Sequence, residues 1–256
     1  MHVLWVLAHP DDRSLNGALH RDGLEALAEA GHTVEVSDLY AMKWNPVVDR
    51  DDFGTDGERL HVGPASRQAF KEGTLSPDIA EEQAKLRRAN LVVLQFPLWW
   101  FGMPAILKGW VDRVFVSGFG YSIPDPERPG RSKRYGDGGL AGKRALVVTT
   151  IGAEWSSYQP RGIDGSLTEL LFPLLHGTFF YTGMSPLRPF AVHDANRLTA
   201  EQYRTAAAAL RERLAHIETE EPIPYRTQNS GDYDEHMVLR PEVAPGRSGL
   251  GIHLAG

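Results

Sequence analysis

Short, almost uninterrupted apolar runs are the feature that most limits how this chain can fold. Three of them read "VLWVLA" (3–8), "LVVLQFP" (91–97) and "RALVVTT" (144–150), and segments with helical spacing of apolar residues lie between the runs. Strands without alternation are typical of a parallel sheet that is covered on both faces. The alternation of such strands with helices predicts an α/β fold, a doubly wound parallel sheet with helices on both faces.

Two further strands and several helix boundaries complete the predicted order. "TVEVSDLY" (Thr33–Tyr40) is rich in β-branched residues, and a fifth strand is expected within "PLRPFAVHD" (186–194). Ser76 in front of Pro77 predicts the start of a surface helix, and Thr199 is expected to cap the last helix. The sheet is therefore predicted to be five-stranded.

The chain is divided here into one domain and one appendage. Residues 1–220 carry all the periodic segments, whereas residues 221–256 contain Pro, Gly and charges with little periodicity. We expect the latter to be an extended arm that packs on the same domain or on a partner subunit, with disorder as the alternative. Residues 41–74 are predicted to form a polar loop, and the insertion at Ser122 to Gly139 is either a lid or rim of the site or a solvated loop.

Charge and cysteine content exclude several classes of function. The 27 Lys and Arg against 33 Asp and Glu leave a net charge of −6, and the longest basic cluster is the mixed "RPGRSKR" at 128–134, so nucleic acid is not an expected partner. The lack of cysteine excludes disulfides, iron–sulfur ligation and thiolate-bound zinc. No apolar stretch reaches the length of a membrane span and the first residues do not read as a secretory signal, so we expect a soluble cytoplasmic protein with no membrane insertion.

Three polar or aromatic segments follow predicted strands, where an open α/β sheet binds its ligands. They are "HPDDRSLN" after the first strand, "PLWWFG" after the third and "TTIGAEWSSY" after the fourth. Because the carboxyl ends of parallel strands lie at one edge of the sheet, the three segments are predicted to share one crevice.

One interpretation of the first segment is a metal site. "AHPDD" resembles the "AHPDDE" signature of zinc-dependent sugar de-N-acetylases, in which a histidine and an aspartate bind zinc. Arg13 stands where that signature has its glutamate, and the downstream histidine motif is missing, since His176 and His193 are isolated. The resemblance covers five residues, and no metal site is predicted from it.

The other interpretation is a phosphorylated cofactor with a flat ring. Ser14 and Asn16 precede a helix, and a helix N-terminus attracts phosphate through its free N–H groups. The dinucleotide pattern GxGxxG is absent from this loop, which suits a flavin phosphate better. Trp99, Trp100 and Phe101 would form an aromatic wall for a flat ring, with core packing as the alternative, and "TTIGA" offers hydroxyls and N–H groups for its polar edge.

Four longer segments carry a resemblance to a known family. "AHPDDRSLNGAL", the stretch from "LSPDIAEEQ" through "GWVDRVF", "TTIGAEWSSYQPRGIDG" and "RERLAHIETEEPI" occur in the order typical of the NAD(P)H:quinone oxidoreductases, the flavodoxin-like quinone reductases. The resemblance runs over roughly residues 1–221. It implies a flavodoxin-like fold, FAD as the bound cofactor with FMN as the alternative, NADPH or NADH as the electron donor, and a homodimer with shared active sites.

The resemblance also implies a role for individual residues. The pyrophosphate would be held by His9, Ser14, Leu15, Asn16 and Ala18. The ring would lie against Pro97, Leu98, Trp99, Trp100 and Phe101, with Thr149, Thr150 and Gly152 at its edge. Tyr158 would be the active-site tyrosine, and Tyr121, together with Trp100 and Phe101, would contact the acceptor. Arg204, one helical turn after Glu201, is assigned to the adenine half, with an exposed ion pair between the two as the alternative.

The implied reaction is a ping-pong transfer of hydride from the nicotinamide through the flavin to a quinone or similar aromatic acceptor. Asp164 occupies the position of the family's histidine, six residues after the tyrosine, so it cannot simply inherit that role. Trp99 replaces the family's glutamine, which leaves a nitroaromatic or azo acceptor open. A second hypothesis, drawn from relatives of the family, is a flavoprotein regulatory subunit of a cation efflux transporter.

Overall fold

The computed structural model describes residues 1–55 and 59–255. The strands are β1 (His2–Leu7), β2 (Thr33–Asp38), β3 (Leu91–Pro97), β4 (Ile123–Pro124), β5 (Ser132–Lys133), β6 (Arg144–Thr150), β7 (Ser185–Pro186) and β8 (Phe190–Val192). The α-helices are α1 (Leu15–Glu29), α2 (Val62–Glu72), α3 (Pro77–Arg88), α4 (Ala105–Val114), α5 (Leu167–Leu170), α6 (Phe172–Leu174) and α7 (Ala200–Ala215). A 3₁₀ turn covers Trp155–Tyr158, a second covers Leu250–His253, and a π-helical turn covers Leu175–Phe180.

The main sheet is parallel in the order β2-β1-β3-β6, and its fifth position is shared by two short strands. β7 pairs with the start of β6, where Arg144 lies opposite Ser185, and β8 pairs with the end of β6, where Thr150 lies opposite Val192. Pro189 separates the two strands, because proline has no N–H to donate to the ladder. The predicted five-stranded arrangement is confirmed, with its edge strand divided in two.

Helices cover both faces of the sheet, as predicted. Leu4 and Val6 of β1 belong to one hydrophobic cluster, while Val3 and Trp5 belong to a second one, because successive side chains of a strand point to opposite faces. Side chains of α3 and α4 complete the first cluster, and those of α1 and α7 complete the second. Thr199 caps α7 as expected. Within the described residues, no helix is both long and apolar enough to cross a membrane.

The prediction of a polar loop for residues 41–74 is wrong in its second half, where the chain forms α2. The apolar positions of this helix are few, but they lie on one face with helical spacing, so the loop prediction overlooked a pattern that the sequence contains. Tertiary contacts cover that face: Ala69 is buried, and the ring of Phe70 packs against Phe119 with centroids 5.9 Å apart. Gly73 ends the helix in the left-handed conformation, with φ 72°.

The insertion at Ser122 to Gly139 contains the antiparallel hairpin of β4 and β5. Its side chains contact the C-terminal segment: Arg134 Nε donates to Gln228 Oε1 (2.8 Å), and Gln228 Nε2 donates to Ser132 O (3.3 Å). The described part of residues 221–256 folds back over the domain, since the N–H of Ile223 donates to Pro186 O (2.8 Å).

Candidate functional site

Three loops lie together at the carboxyl ends of β1, β3 and β6, and we call the space between them the crevice. The loops span residues 8–14, 98–104 and 151–165. Asn16 Nδ2 donates to Thr150 Oγ1 (2.7 Å), which joins the first turn of α1 to the end of β6. The N–H of Leu98 donates to Thr150 O (2.9 Å). The segments that were predicted to share a crevice are therefore neighbours.

The first turn of α1 presents free hydrogen-bond donors. Ser14 is the N-cap, and its hydroxyl oxygen accepts the N–H of Gly17 (3.1 Å). The N–H of Ala18 is used by Ser14 O (2.9 Å). The N–H groups of Leu15 and Asn16 have no acceptor in the described part of the chain, as expected for the first residues of a helix. With no acidic residue in the first turn, this helix end is suited to an anion.

Gly17 allows the preceding loop to close tightly on the helix. A Cβ at this position would lie 1.9 Å from Asp12 O, a distance that no side chain can occupy. Two residues of the sheet fix the position of Asn16. Gln95 Nε2 donates to the backbone oxygen of Asn16 (2.7 Å), and Gln95 Oε1 accepts a hydrogen bond from Trp5 Nε1 (2.9 Å). The sheet interior thus holds the helix end in place.

The residues considered for a metal form a turn. His9 Nδ1 lies 2.9 Å from Asp11 O, and the Asp11 carboxylate accepts hydrogen bonds from the N–H (2.9 Å) and the Nε (3.3 Å) of Arg13. The backbone hydrogen bond from Arg13 is the main reason why the pKa of Asp11 lies below its usual value. Across residues 1–55 and 59–255, no group of three or more His, Cys, Asp or Glu side chains is placed to hold a metal ion.

The aromatic wall stands on a strained turn. The N–H groups of Trp99 and Gly102 each donate to the other residue's carbonyl (3.0 and 3.1 Å), which leaves Trp100 and Phe101 as the central pair, with φ values of 50° and 61°. Bulky residues seldom adopt positive φ, at a cost of about 1–3 kcal/mol each. The turn exposes 45% of Trp99, 96% of Trp100 and 50% of Phe101. The alternative of ordinary core aromatics does not hold for these three.

Tyr158 is a buried residue of the third loop. It ends the 3₁₀ turn of Trp155–Tyr158, and Asp164 is folded back toward it by a hydrogen bond from its N–H to Ser157 O (3.0 Å). Burial raises the pKa of Tyr158, and the negative charge of Asp164 raises it further. The hydroxyl therefore stays protonated over the physiological range.

His193 lies beside Tyr158, a neighbour that the sequence did not reveal. The two ring centroids are 5.3 Å apart with the planes tilted by 54°. His193 directly follows β8, and the next residue, Asp194, donates its N–H to Ala153 O (3.1 Å), which fixes this end of the edge strand on the third loop. Burial lowers the pKa of His193. Its position at a strand end was the available signal, but the interruption of the edge strand obscured it.

Two predicted site residues lie away from the crevice of this chain. Tyr121 lines a separate cavity of about 230 Å³ together with Thr178 and Tyr181. Arg204 is an exposed residue of α7, a helix that is anchored to α1 by the hydroxyl of Tyr203, which donates to Asp22 Oδ2 (2.5 Å). The Glu201 side chain lines a groove beside β8.

The residues present fit a flavin. Free N–H donors at the start of α1 suit a phosphate group, and the exposed rings of the second loop suit a flat heterocycle. Two buried oxygens in this region, Asn16 Oδ1 and Thr149 Oγ1, have no hydrogen-bond partner among the described residues. At Gly152, a Cβ would meet only Asn196 Nδ2 at 3.3 Å, so the backbone of the third loop is open to close approach.

Comparisons with known proteins agree with this geometry. A family profile described as flavodoxin-like fold matches residues 1–214. The chain is 47% identical over 257 residues to a ribosyldihydronicotinamide dehydrogenase-like protein of Penicillium crustosum, covering 99% of this chain and 95% of the relative. It is 35% identical over 246 residues to the NAD(P)H dehydrogenase [quinone] 1 of Cavia porcellus, covering 94% of this chain and 86% of the relative.

A solved structure is similar over the whole length. The crystal structure of a protein from Klebsiella pneumoniae, provisionally assigned as a quinone reductase, superimposes with a TM-score of 0.96 at 48% identity and covers 100% of both chains. The C-terminal segment is included in this match, so the similarity extends beyond the part that the family profile covers.

Proposed function

The chain belongs to the flavodoxin-like NAD(P)H:quinone oxidoreductase family, and on that premise we propose that this oxidoreductase uses FAD to pass two electrons from NADPH or NADH to a quinone or similar aromatic acceptor. Donor and acceptor would use the crevice in turn, in a ping-pong reaction. One observation carries the proposal: the free N–H groups of Leu15 and Asn16 and the exposed rings of Trp99 to Phe101 belong to loops held together by the Asn16–Thr150 hydrogen bond.

Each side of the crevice would hold a different part of the flavin. The start of α1, with His9, Ser14, Leu15 and Asn16, would bind the pyrophosphate, while Ala18 contributes packing because its N–H is already used. The ring would lie against the wall of Pro97, Leu98, Trp99, Trp100 and Phe101, with Thr149, Thr150 and Gly152 at its polar edge. When bound, the flavin supplies the capacity to accept and release a hydride.

Tyr158 is proposed as the proton donor to the reduced acceptor. A quinone that receives a hydride still lacks one proton on its second oxygen. The Tyr158 hydroxyl, like any phenol, is protonated at neutral pH, and burial and Asp164 raise its pKa so that it stays protonated to higher pH. Asp164 acts through the tyrosine and is a positioning residue in this scheme. A protonated histidine would bring a positive charge to this position, whereas Asp164 brings a negative one. The negative charge disfavours the phenolate form of Tyr158.

A second copy of the chain is proposed to complete the site. The rim of the crevice exposes large apolar side chains, with Trp100 at 96%, Trp155 at 63% and Ile163 at 95%. Large apolar side chains exposed near one another around a site often lie at an interface. Tyr121 is separated from its own chain's crevice, so it would contact the acceptor bound to the partner in a homodimer. Arg204 remains assigned to the adenine half in this proposal.

The test is a pair of half-reactions on the purified protein. Flavin released by heat is identified as FAD or FMN, the loaded protein is reduced anaerobically with NADPH or NADH, and a quinone is then added. We expect the bound flavin to be bleached by a nicotinamide donor and recoloured by the quinone. Protein that takes up flavin but is not bleached by either donor would contradict the proposed reaction, while FMN in place of FAD would correct only the cofactor.

A further inference from the structure

A cavity of about 390 Å³ lies between the domain and the C-terminal segment, and we call it the arm cavity. This volume lies within the range of small-molecule sites in proteins. The C-terminal segment is attached where Ile223 donates to Pro186 O, and Pro186 pairs with Ala145 near the start of β6. The crevice is at the Thr150 end of the same strand, which lies about 16 Å along β6 from Ala145 at the rise of a β-strand.

The arm cavity has flat walls that are already stacked. On the domain side, the ring of His176 lies between those of Tyr135 (4.9 Å, 30°) and Phe172 (4.5 Å, 16°). On the arm side, Tyr233 lies nearly parallel to His253 (6.0 Å, 16°), and its hydroxyl is 2.9 Å from His253 Nδ1. An aromatic ring that enters this space meets ordered faces and costs little side-chain entropy.

One positive charge at the arm cavity is not neutralised by a direct partner. The guanidinium of Arg134 has no carboxylate within ion-pair distance in the described part of the chain; its Nε donates to the neutral Gln228, and the group lies 5.8 Å from the centre of the Tyr135 ring. Asp137 accepts the backbone N–H of Arg134 (3.0 Å) and not its side chain. A partly buried arginine without a carboxylate partner favours a bidentate anion.

The other ionisable groups of the arm cavity leave this charge in place. Arg226 is paired with Asp232 (2.8 Å), so the two cancel. Burial, with a smaller effect of His253, lowers the pKa of His176 to about 4, and burial lowers that of His253. Both imidazoles are therefore neutral at physiological pH, and a single positive charge remains.

The backbone is strained on both sides of the arm cavity. Tyr135 has φ 52° and Met237 has φ 65°, although neither is a glycine. Such residues persist only where the surroundings hold them, and they are frequent at ligand clamps. Tyr135 belongs to the domain and Met237 to the arm, so each wall of the arm cavity contains one residue with a strained backbone.

From these observations we propose that the arm cavity binds a small planar aromatic carboxylate, with its ring in the space between the domain-side rings and Tyr233 and its carboxylate on Arg134. This site is separate from the crevice and does not depend on the proposed reaction. Phosphate or a large polyanion fits the site less well, because one uncompensated guanidinium matches one carboxylate and most of the wall is aromatic.

Titration calorimetry of the flavin-loaded protein with 2-naphthoate and with the neutral 2-naphthamide tests the proposal. We expect 2-naphthoate to bind about tenfold more tightly than the amide, the gain of one charge-assisted bidentate contact. Arg134→Gln should remove this preference. Arg131→Gln is the matched control, because Arg131 is an exposed residue of the same hairpin that also reaches the arm, at Glu235 O (3.5 Å); it should keep the preference.

The flavin absorbance, followed in the same titration, separates the two sites. Displacement of flavin by 2-naphthoate would overturn the proposal, as would equal affinity for acid and amide or an unchanged preference in Arg134→Gln. Met237→Trp provides a second variant that fills the arm cavity from the arm side. Loss of 2-naphthoate binding in this variant supports the proposal even if Arg134→Gln fails to fold, and retained binding contradicts it.

Discussion

Asn16 Nδ2 donates to Thr150 Oγ1 at 2.7 Å, across 134 positions of sequence, and this bond is buried. It joins the start of α1, the proposed phosphate site, to the strand end that carries the proposed polar edge of the ring site. The two halves of the crevice thus have a fixed relative position before any ligand enters.

Removal of this bond should weaken both the fold and flavin binding. We expect Asn16→Ala to lower the free energy of unfolding by about 1–3 kcal/mol, because Thr150 Oγ1 loses its buried donor, while the bond from Gln95 to the backbone oxygen of residue 16 is kept. Urea unfolding and flavin titration measure the two effects. Asn229→Ala, which removes an exposed side-chain bond to Asp137, is the control and should change stability by less than about 0.5 kcal/mol. Equal behaviour of the two variants would show that the buried bond has no special role.

The strain at Trp100 should be separable from its proposed contact with the flavin. Trp100→Gly relieves a φ of 50° and loses almost no burial, so we expect a gain of about 1 kcal/mol in stability together with weaker flavin binding. Trp155→Gly serves for comparison: this exposed tryptophan lies in a 3₁₀ turn, has no positive φ, and should lose stability. A stabilised Trp100→Gly protein with wild-type flavin affinity would remove this ring from the proposed site.

Tyr158 should affect the oxidative half-reaction only. We expect Tyr158→Phe to slow reoxidation by the quinone about 10²-fold, the usual contribution of a general acid, and to leave reduction by NAD(P)H near the wild-type rate. Asp164→Asn removes the charge that helps to raise the pKa of Tyr158, so the alkaline loss of activity should begin at lower pH than in the wild type. Stopped-flow measurements over a pH series show both effects. An alkaline limit that does not move would refute the role of Asp164.

The half-buried His176 should make the protein sensitive to acid. Its pKa is about 4 in the folded state and near 6.5 in the unfolded chain, so the unfolded state binds the proton more readily between these values. Stability is fully present above pH 6.5 and is lost as the pH falls toward 4, by on the order of 1–2 kcal/mol once solvent screening is considered. Chemical denaturation at several pH values should show a smaller loss in His176→Phe, whereas the exposed His236→Phe should behave like the wild type.

The sheet could be predicted from the sequence because its central strands are almost continuously apolar. β1, β3 and β6 carry that pattern, and the caps Ser14 and Thr199 mark where two helices begin. α2 was overlooked although its few apolar residues have helical spacing, and contacts such as the one between Phe70 and Phe119 hold it on the domain.

The site was predictable where it depends on strand ends and not where it depends on tertiary contacts. The three loops of the crevice follow strands, so their meeting was expected. The positive φ of Trp100 depends on the reciprocal Trp99–Gly102 hydrogen bonds, and the position of His193 beside Tyr158 depends on a divided edge strand. No local sequence pattern predicts the positive φ of Trp100 or the position of His193. The arm cavity is likewise formed by residues that are distant in sequence.

Tryptophan fluorescence of the apoprotein during addition of FAD tests the central claim most directly, because Trp99 and Trp100 are placed at the proposed ring site. We predict strong quenching that saturates at one flavin per chain, with Trp100→Gly showing a smaller quench at saturation. Fluorescence that does not respond to FAD or FMN, in protein that is folded by circular dichroism, would contradict the assignment of the crevice as a flavin site.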